Sequence, residues 1–168
     1  PDSGDVLALR DGADGRAASA RAVVRDLPGV HGVAVLGGTL YLVTDRELHA
    51  ALLAPDGSAG EPATLRADVP DPGPAAGHTL AAGPDAHLYG GPCALPTDGG
   101  HAAALVRLRA DGSEPETLAR ALRGTLGFGW HPATGALWGM DHPDALPVEA
   151  ARGAAPDQPS LGALHELV

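Results

Sequence analysis

Apolar and polar positions alternate along this chain in short runs, each stopped by Gly, Pro or Asp. The runs are "DVLALR" (5–10), "RAVVR" (21–25), "VHGVAVL" (30–36), "TLYLVT" (39–44), "ELHAALLA" (47–54), "ATLRA" (63–67), "HTLAA" (78–82), "AHLYG" (86–90), "AALVRLRA" (103–110), "ETLAR" (116–120), "TLGFGW" (125–130), "ALWGM" (136–140) and "ALHELV" (163–168). Period-two patterning bounded by turn residues predicts β-strands. Two series repeat along the chain. Tyr41, Tyr89 and Trp138 each follow a turn and a Leu, and stand 48 and 49 residues apart. Between them lie Asp14-Gly15, Asp56-Gly57 and Asp111-Gly112, dipeptides suited to hairpin turns because both residues tolerate positive φ. A unit of two hairpins returning every ~40–50 residues predicts the blade of a β-propeller.

The expected fold is therefore all-β: about three four-stranded antiparallel blades, part of a larger ring, forming one partial propeller domain over residues 1–168. The runs divide into blades at roughly 15–56, 57–112 and 113–168, with "RAVVR", "ATLRA" and "ETLAR" opening successive sets. Two segments resist the pattern. Residues 67–77 are too rich in Pro and Gly for a strand, and residues 142–162 form a long excursion with room for one helical turn near Val148–Arg152. Three blades cannot close a ring, so the chain is expected to be a piece of a longer propeller or to associate with a second copy.

Composition narrows the reading. Gly (24) and Pro (16) fall between the periodic runs, which fits turn-rich β structure rather than disorder. Net charge is −10, from 21 acids against 11 bases, with no basic stripe, so nucleic acid is not an expected partner. No apolar run approaches the ~20 residues of a membrane span. The single cysteine, Cys93, has no internal disulfide partner and no adjacent base to make it a nucleophile. No leader is legible, and a chain beginning at Pro1 reads as processed or excised from a longer one.

Candidate chemistry follows from the repeat. His31, His78 and Arg123 each precede the innermost strand of their repeat, so a blade array would gather them at one mouth of its channel. Other roles stay open for them: a turn-closing donor for His31, a hydrogen-bonding loop residue for His78, an interblade arginine for Arg123. Tyr41, Tyr89 and Trp138 read as core packing. His49, His87, His101 and His165 lack metal-ligand spacing and read as solvated.

The segments "GDVLALRDGADGRA", "LPGVHGVAVLGGTLYLV", "HTLAAGPDAHLYGG" and "LARALRGTLGFGWHPATGALWGMDH" resemble the soluble sugar dehydrogenases that use pyrroloquinoline quinone (PQQ), most of all the sorbosone dehydrogenase branch. The resemblance covers nearly the whole chain and is strongest over 118–142. It implies a six-bladed propeller that holds PQQ and Ca²⁺ at the channel mouth, oxidises a small sugar by hydride transfer to the quinone, uses a histidine as general base, and works in the periplasm or outside the cell. Carried over by residue, Arg123 falls on the cofactor-facing arginine, with Gly124 where the family has asparagine. His78 lies near the catalytic histidine, three residues from the strict position at Ala75. His31 is assigned to the cofactor mouth. His142 and Pro143 overlie the segment whose carbonyls hold calcium, with Pro143 in place of a glycine. The loop carrying Asp11 and Asp14 keeps only part of a second calcium site's carboxylates. Two other readings stay open: a non-catalytic propeller fragment acting as an interaction or structural module, and a lactonase-type propeller, which would need a carboxylate-rich metal shell where only Asp141 is in view.

Overall fold

The structure is a computed structural model, described over residues 4–69, 78–93, 104–119, 127–141 and 163–166. Every regular element among them is a strand. β1 (Val6–Asp11) and β2 (Ala17–Val24) form a two-stranded sheet. β3 (Gly32–Leu36), β4 (Thr39–Val43), β5 (Leu48–Leu52) and β6 (Ala63–Arg66) form a four-stranded antiparallel sheet in chain order. β7 (Thr79–Ala82), β8 (His87–Cys93), β9 (Ala104–Arg109) and β10 (Glu116–Ala119) repeat it. β11 (Gly127–Trp130), β12 (Leu137–Asp141) and β13 (Ala163–Glu166) form a three-stranded sheet. The fold is a partial β-propeller. The helical turn expected near Val148–Arg152 lies outside the described residues.

The sheets are phased one strand away from the expected grouping. Ala63–Arg66 does not open a blade; it closes one, pairing with β5. Glu116–Ala119 likewise closes its sheet on β9, and Arg21–Val24 belongs to β2, paired with β1. The physical reason is the Asp-Gly turn. A tight reversal returns the chain onto the strand it has just left, so it can only join neighbours of one sheet. At Asp56-Gly57 the carboxylate accepts the Ser58 amide (2.8 Å) and hydroxyl (2.6 Å), while Gly57 takes φ 79°. Asp111-Gly112-Ser113 reproduces this with 2.9 and 2.6 Å and φ 80°. The Ser58 and Ser113 hydroxyls, then their amides, hold both aspartates below the ordinary carboxylate range.

Sheet stacks on sheet through the second strand of each. Tyr41, Tyr89 and Trp138 pair with Ala34, Ala81 and Gly129, in every case the third residue of the preceding strand, so the three aromatics are register-equivalent. Tyr41 shares a cluster with Leu80, Leu88, Val106 and Leu108 of the following sheet. Tyr89 and Leu105 meet Leu137, Phe128 and Trp130 of the sheet after that, with Tyr89 edge-on to Trp130 at 4.9 Å. On its other face the first four-stranded sheet places Leu40 and Leu42 against Val24 of β2. The two-stranded sheet covers β4 in this way but leaves Val33 and Val35 of β3 exposed.

Arginines clamp consecutive sheets. Arg21 of β2 donates to the Asp56 carbonyl (3.1 Å) in the next sheet's turn, and Arg66 of β6 donates to the Gly112 carbonyl (3.0 Å) in the turn after. Leu42, Leu88 and Leu105 are the largest fully buried side chains, and each sits at a sheet-to-sheet contact. Leu88→Ala is therefore expected to cost about 2–5 kcal/mol. Urea denaturation checks this, and a loss below about 1 kcal/mol would show that the stacked sheets do not unfold as one unit.

Candidate functional site

Three residues meet where the first strands of two adjacent sheets begin. The β3–β4 hairpin turns symmetrically about Gly37-Gly38 and pairs Gly32 with Val43. The residues just outside that ladder must then lie across from each other. His31 extends the ladder by donating its amide to the Val43 carbonyl (2.9 Å). Its Nε2 reaches Asp45 Oδ1 at 2.6 Å. Asp45 is fixed from two sides. A turn after β4 is closed by Thr44, whose amide donates to the Glu47 carbonyl (2.9 Å) and whose hydroxyl accepts the Glu47 amide (3.1 Å). On the other side Gly29, at φ 68°, packs against the carboxylate, where any side chain at 29 would collide with it.

His78, just ahead of β7, joins the pair from the next sheet. Its Nε2 lies 3.3 Å from the Asp45 carbonyl oxygen. The approach depends on Gly32, because a Cβ there would sit 2.8 Å from the His78 carbonyl oxygen and 3.0 Å from Leu80 Cβ. His78 is 3% exposed, whereas the side chains of His31 and Asp45 are 33% and 55% exposed. The structure thus brings together two of the three residues expected at the mouth. Arg123, His142, Pro143 and Ala75 lie outside the described residues, so their placement enters only as a proposal below. Asp45 was not singled out in the sequence, although a signal existed: it follows His31 by one hairpin and its connection.

A second polar group lies at the opposite end of the β7–β8 hairpin. Asp85 accepts from the Tyr89 hydroxyl (3.1 Å), contacts His87 Nδ1 (3.1 Å) and pairs with Arg107 (3.4 Å), which also pairs with Glu116 (2.7 Å). Burial alone pushes Asp85 up, but the Tyr89 hydroxyl, the His87 amide and the His87 charge hold it below the ordinary carboxylate range. Burial and the Asp85 carboxylate raise the Tyr89 phenol. Each carboxylate here is matched by donors from its own sheet, and the cluster fixes strands rather than presenting an unsatisfied group.

His49 differs from expectation: it is buried at 5% exposure with Nδ1 3.3 Å from the Thr64 hydroxyl across the β5–β6 pair, not solvated. The side chain is buried because both faces of β5 are covered: Leu48 on one face and Ala51, on the same face as His49, are buried as well. His101 and the His165 side chain lie outside the described residues. Among the described residues, no group of three or more His, Cys, Asp or Glu is placed to hold a metal, and no helix is long and apolar enough to cross a membrane.

Repeated four-stranded sheets, stacked through equivalent second strands with loop residues gathered at the leading ends of the first strands, define a β-propeller with its candidate site at one rim. Solved structures with this fold include the PQQ domain of pyranose dehydrogenase from Coprinopsis cinerea in its holo form (TM-score 0.64, 15% identity, 79% of this chain and 37% of that one). The PQQ-bound aldose sugar dehydrogenase from Streptomyces coelicolor matches with TM-score 0.61 and 17% identity over 83% of this chain and 51% of that one. A Trichoderma reesei carbohydrate-active enzyme of family AA12 matches with TM-score 0.58 and 16% identity over 82% of this chain and 39% of that one. The chain spans about a third to a half of the length of these structures. No protein-family model and no curated protein matches the sequence. At 15–17% identity these likenesses establish the propeller fold.

Because Asp85 is held below its unfolded value, its ionised form favours the folded state. That contribution is fully present above about pH 4, the unfolded carboxylate value, and is lost as pH falls through the folded one. Asp85→Asn is expected to lower stability at pH 7 and to flatten the fall in Tm between about pH 4 and pH 2. Thermal melts across that range check it; an unchanged acid limb would show that Asp85 is not coupled to folding.

Proposed function

We propose that this chain forms part of a PQQ-dependent sugar dehydrogenase propeller and that the His31–Asp45–His78 end is its cofactor end. The observation that carries the reading is the convergence of the two histidines on Asp45, from adjacent sheets, on a fold shared with PQQ-binding sugar dehydrogenases. His31 offers an imidazole at this end, and Asp45, the more exposed of the two side chains (55% against 33%), is hydrogen-bonded to its Nε2. The paired donors of Arg123 suit the carboxylates of PQQ, and His31 adds a donor or acceptor beside them. Calcium is assigned to the backbone at His142 and Pro143 by resemblance alone; the described residues do not form a cation shell by themselves.

PQQ, when bound, would supply the two-electron oxidant for the sugar carbon. The chain's own task is to orient the sugar hydroxyl and receive its proton. An imidazole suits this because its pKa lies near neutral working pH. The substrate class is a small aldose or sugar aldehyde, with sorbosone-type oxidation as the finer reading, and the compartment is the periplasm or the cell exterior.

A second reading, an interaction or structural module, is favoured by the two ends of the array. Leu7 and Leu9 of β1 are 56% and 66% exposed at one end, and Met140 of β12 is 44% exposed at the other. Gly127 and Gly129, paired opposite Met140 and Trp138, have open space before them. Faces of this kind are covered in a closed propeller.

Three measurements separate the readings. Titration with PQQ and Ca²⁺, followed by tryptophan fluorescence, is expected to show weak binding that Arg123→Ala abolishes; no binding at about millimolar PQQ, a free energy near −4 kcal/mol, would sink the enzyme reading. Dye-linked oxidation of aldoses by the isolated chain is expected to be absent. Losing two charge-assisted contacts at about 1.5–3 kcal/mol each weakens cofactor binding by roughly two to four orders of magnitude. PQQ-dependent turnover by the isolated chain would overturn that expectation. Sedimentation is expected to show self-association that Leu9→Glu or Met140→Glu reduces, and a well-folded monomer at all concentrations would count against exposed blade faces.

A further inference from the structure

The two histidines at the cofactor end are not equivalent, and the difference assigns their roles. We infer that His31, oriented by Asp45, presents the proton-accepting nitrogen at this end, and that His78 acts as a positioning residue. The inference deepens the proposed function and rests on it for the identity of the substrate.

The argument is one of lone pairs. A neutral imidazole has one N–H and one basic nitrogen, and whichever nitrogen faces a carboxylate carries the proton. His31 Nε2 lies 2.6 Å from Asp45 Oδ1, so Nε2 is the donor and Nδ1 is left as the base. Among the described residues Nδ1 of His31 has no hydrogen-bond partner, and a third of the side chain is open to solvent. A base aimed by a carboxylate on its other nitrogen is the arrangement that general-base catalysis uses on many folds. His78 has the opposite character. It is 3% exposed, and its Nε2 faces the Asp45 carbonyl, an acceptor that requires a proton on that nitrogen. The Nε2–H of His78 therefore holds the Asp45 backbone while the Asp45 side chain holds His31.

The order of support runs from the buried residue outward: His78 to the Asp45 carbonyl, Asp45 Oδ1 to His31 Nε2, and His31 Nδ1 to the ligand. Gly29 and Gly32 are the two positions whose lack of a side chain lets this chain of contacts close. With a sugar bound, Nδ1 of His31 would receive the hydroxyl proton and Asp45 would balance the charge of the resulting imidazolium, while the bound cofactor would supply the two-electron oxidant.

The test uses the chain itself and reads no turnover. Diethyl pyrocarbonate attacks the unprotonated imidazole nitrogen, and mass spectrometry resolves the modified residues. His31 is expected to react at least tenfold faster than His78. Equal rates, or faster modification of His78, would overturn the assignment. Long-range ¹⁵N–¹H correlation spectra are expected to show one neutral tautomer for His31, protonated at Nε2, and a mixture of both in Asp45→Ala. Circular dichroism of that variant establishes that it is folded; a mixture already present in the unsubstituted chain would overturn the orienting role of Asp45. His78→Gln, which keeps a donor toward the Asp45 carbonyl, is expected to preserve the single His31 tautomer, whereas His78→Ala loses it. Retention in both variants would remove His78 from the chain of support. These outcomes are independent of PQQ titration: failure to bind PQQ sinks the proposed function and leaves the nitrogen assignment standing, while binding of PQQ with His78 as the reactive imidazole sinks the assignment alone.

Discussion

None of the sheets among the described residues is large enough to bury itself. Two to four short strands expose too much backbone and too little apolar area to be stable alone, so each sheet depends on a neighbour against its face. The contact that meets this need is repeated: an aromatic on the second strand of one sheet packs against leucines of the next. Tyr41 and Tyr89 are placed in this contact by register, and Trp138 holds the corresponding position in the sheet that follows. Around that spacing the rest is arranged, including the arginine clamps from Arg21 and Arg66 into the Asp-Gly turns.

The same stacking creates the candidate site. Two first strands lying side by side bring the residues ahead of them into contact, provided that the backbones can approach. Gly32 allows the approach, and His78 comes in beside the start of β3. The site is thus a by-product of sheet packing that polar residues occupy. Its geometry is set by a hairpin within one sheet (His31 and Asp45) and by a contact between sheets (Asp45 and His78). The Asp85 cluster shows the contrast: it lies within one sheet, its charges are matched locally, and its energetic role is in holding strands together.

The amino-acid sequence by itself determined the strands, the turns and the repeat. Alternation around Leu and Val marks one face of each strand, Asp-Gly requires a reversal, and the 48- and 49-residue spacing of aromatics identifies equivalent positions. The convergence of His31 and His78 was also legible, because equivalent loops of a repeat share a rim. Tertiary structure alone decided three other things. Sheet phase depends on whether a strand after Asp-Gly pairs backward or forward, and hydrogen bonds from β6 to β5 settle it. The burial of His49 depends on both faces of β5 being covered. The partnership of His31 with Asp45 depends on the hairpin register that pairs Gly32 with Val43, and the different exposures of His31 and His78 depend on how closely two backbones meet at Gly32. Each of these is a relation between positions distant in the chain, which local residue preference does not encode.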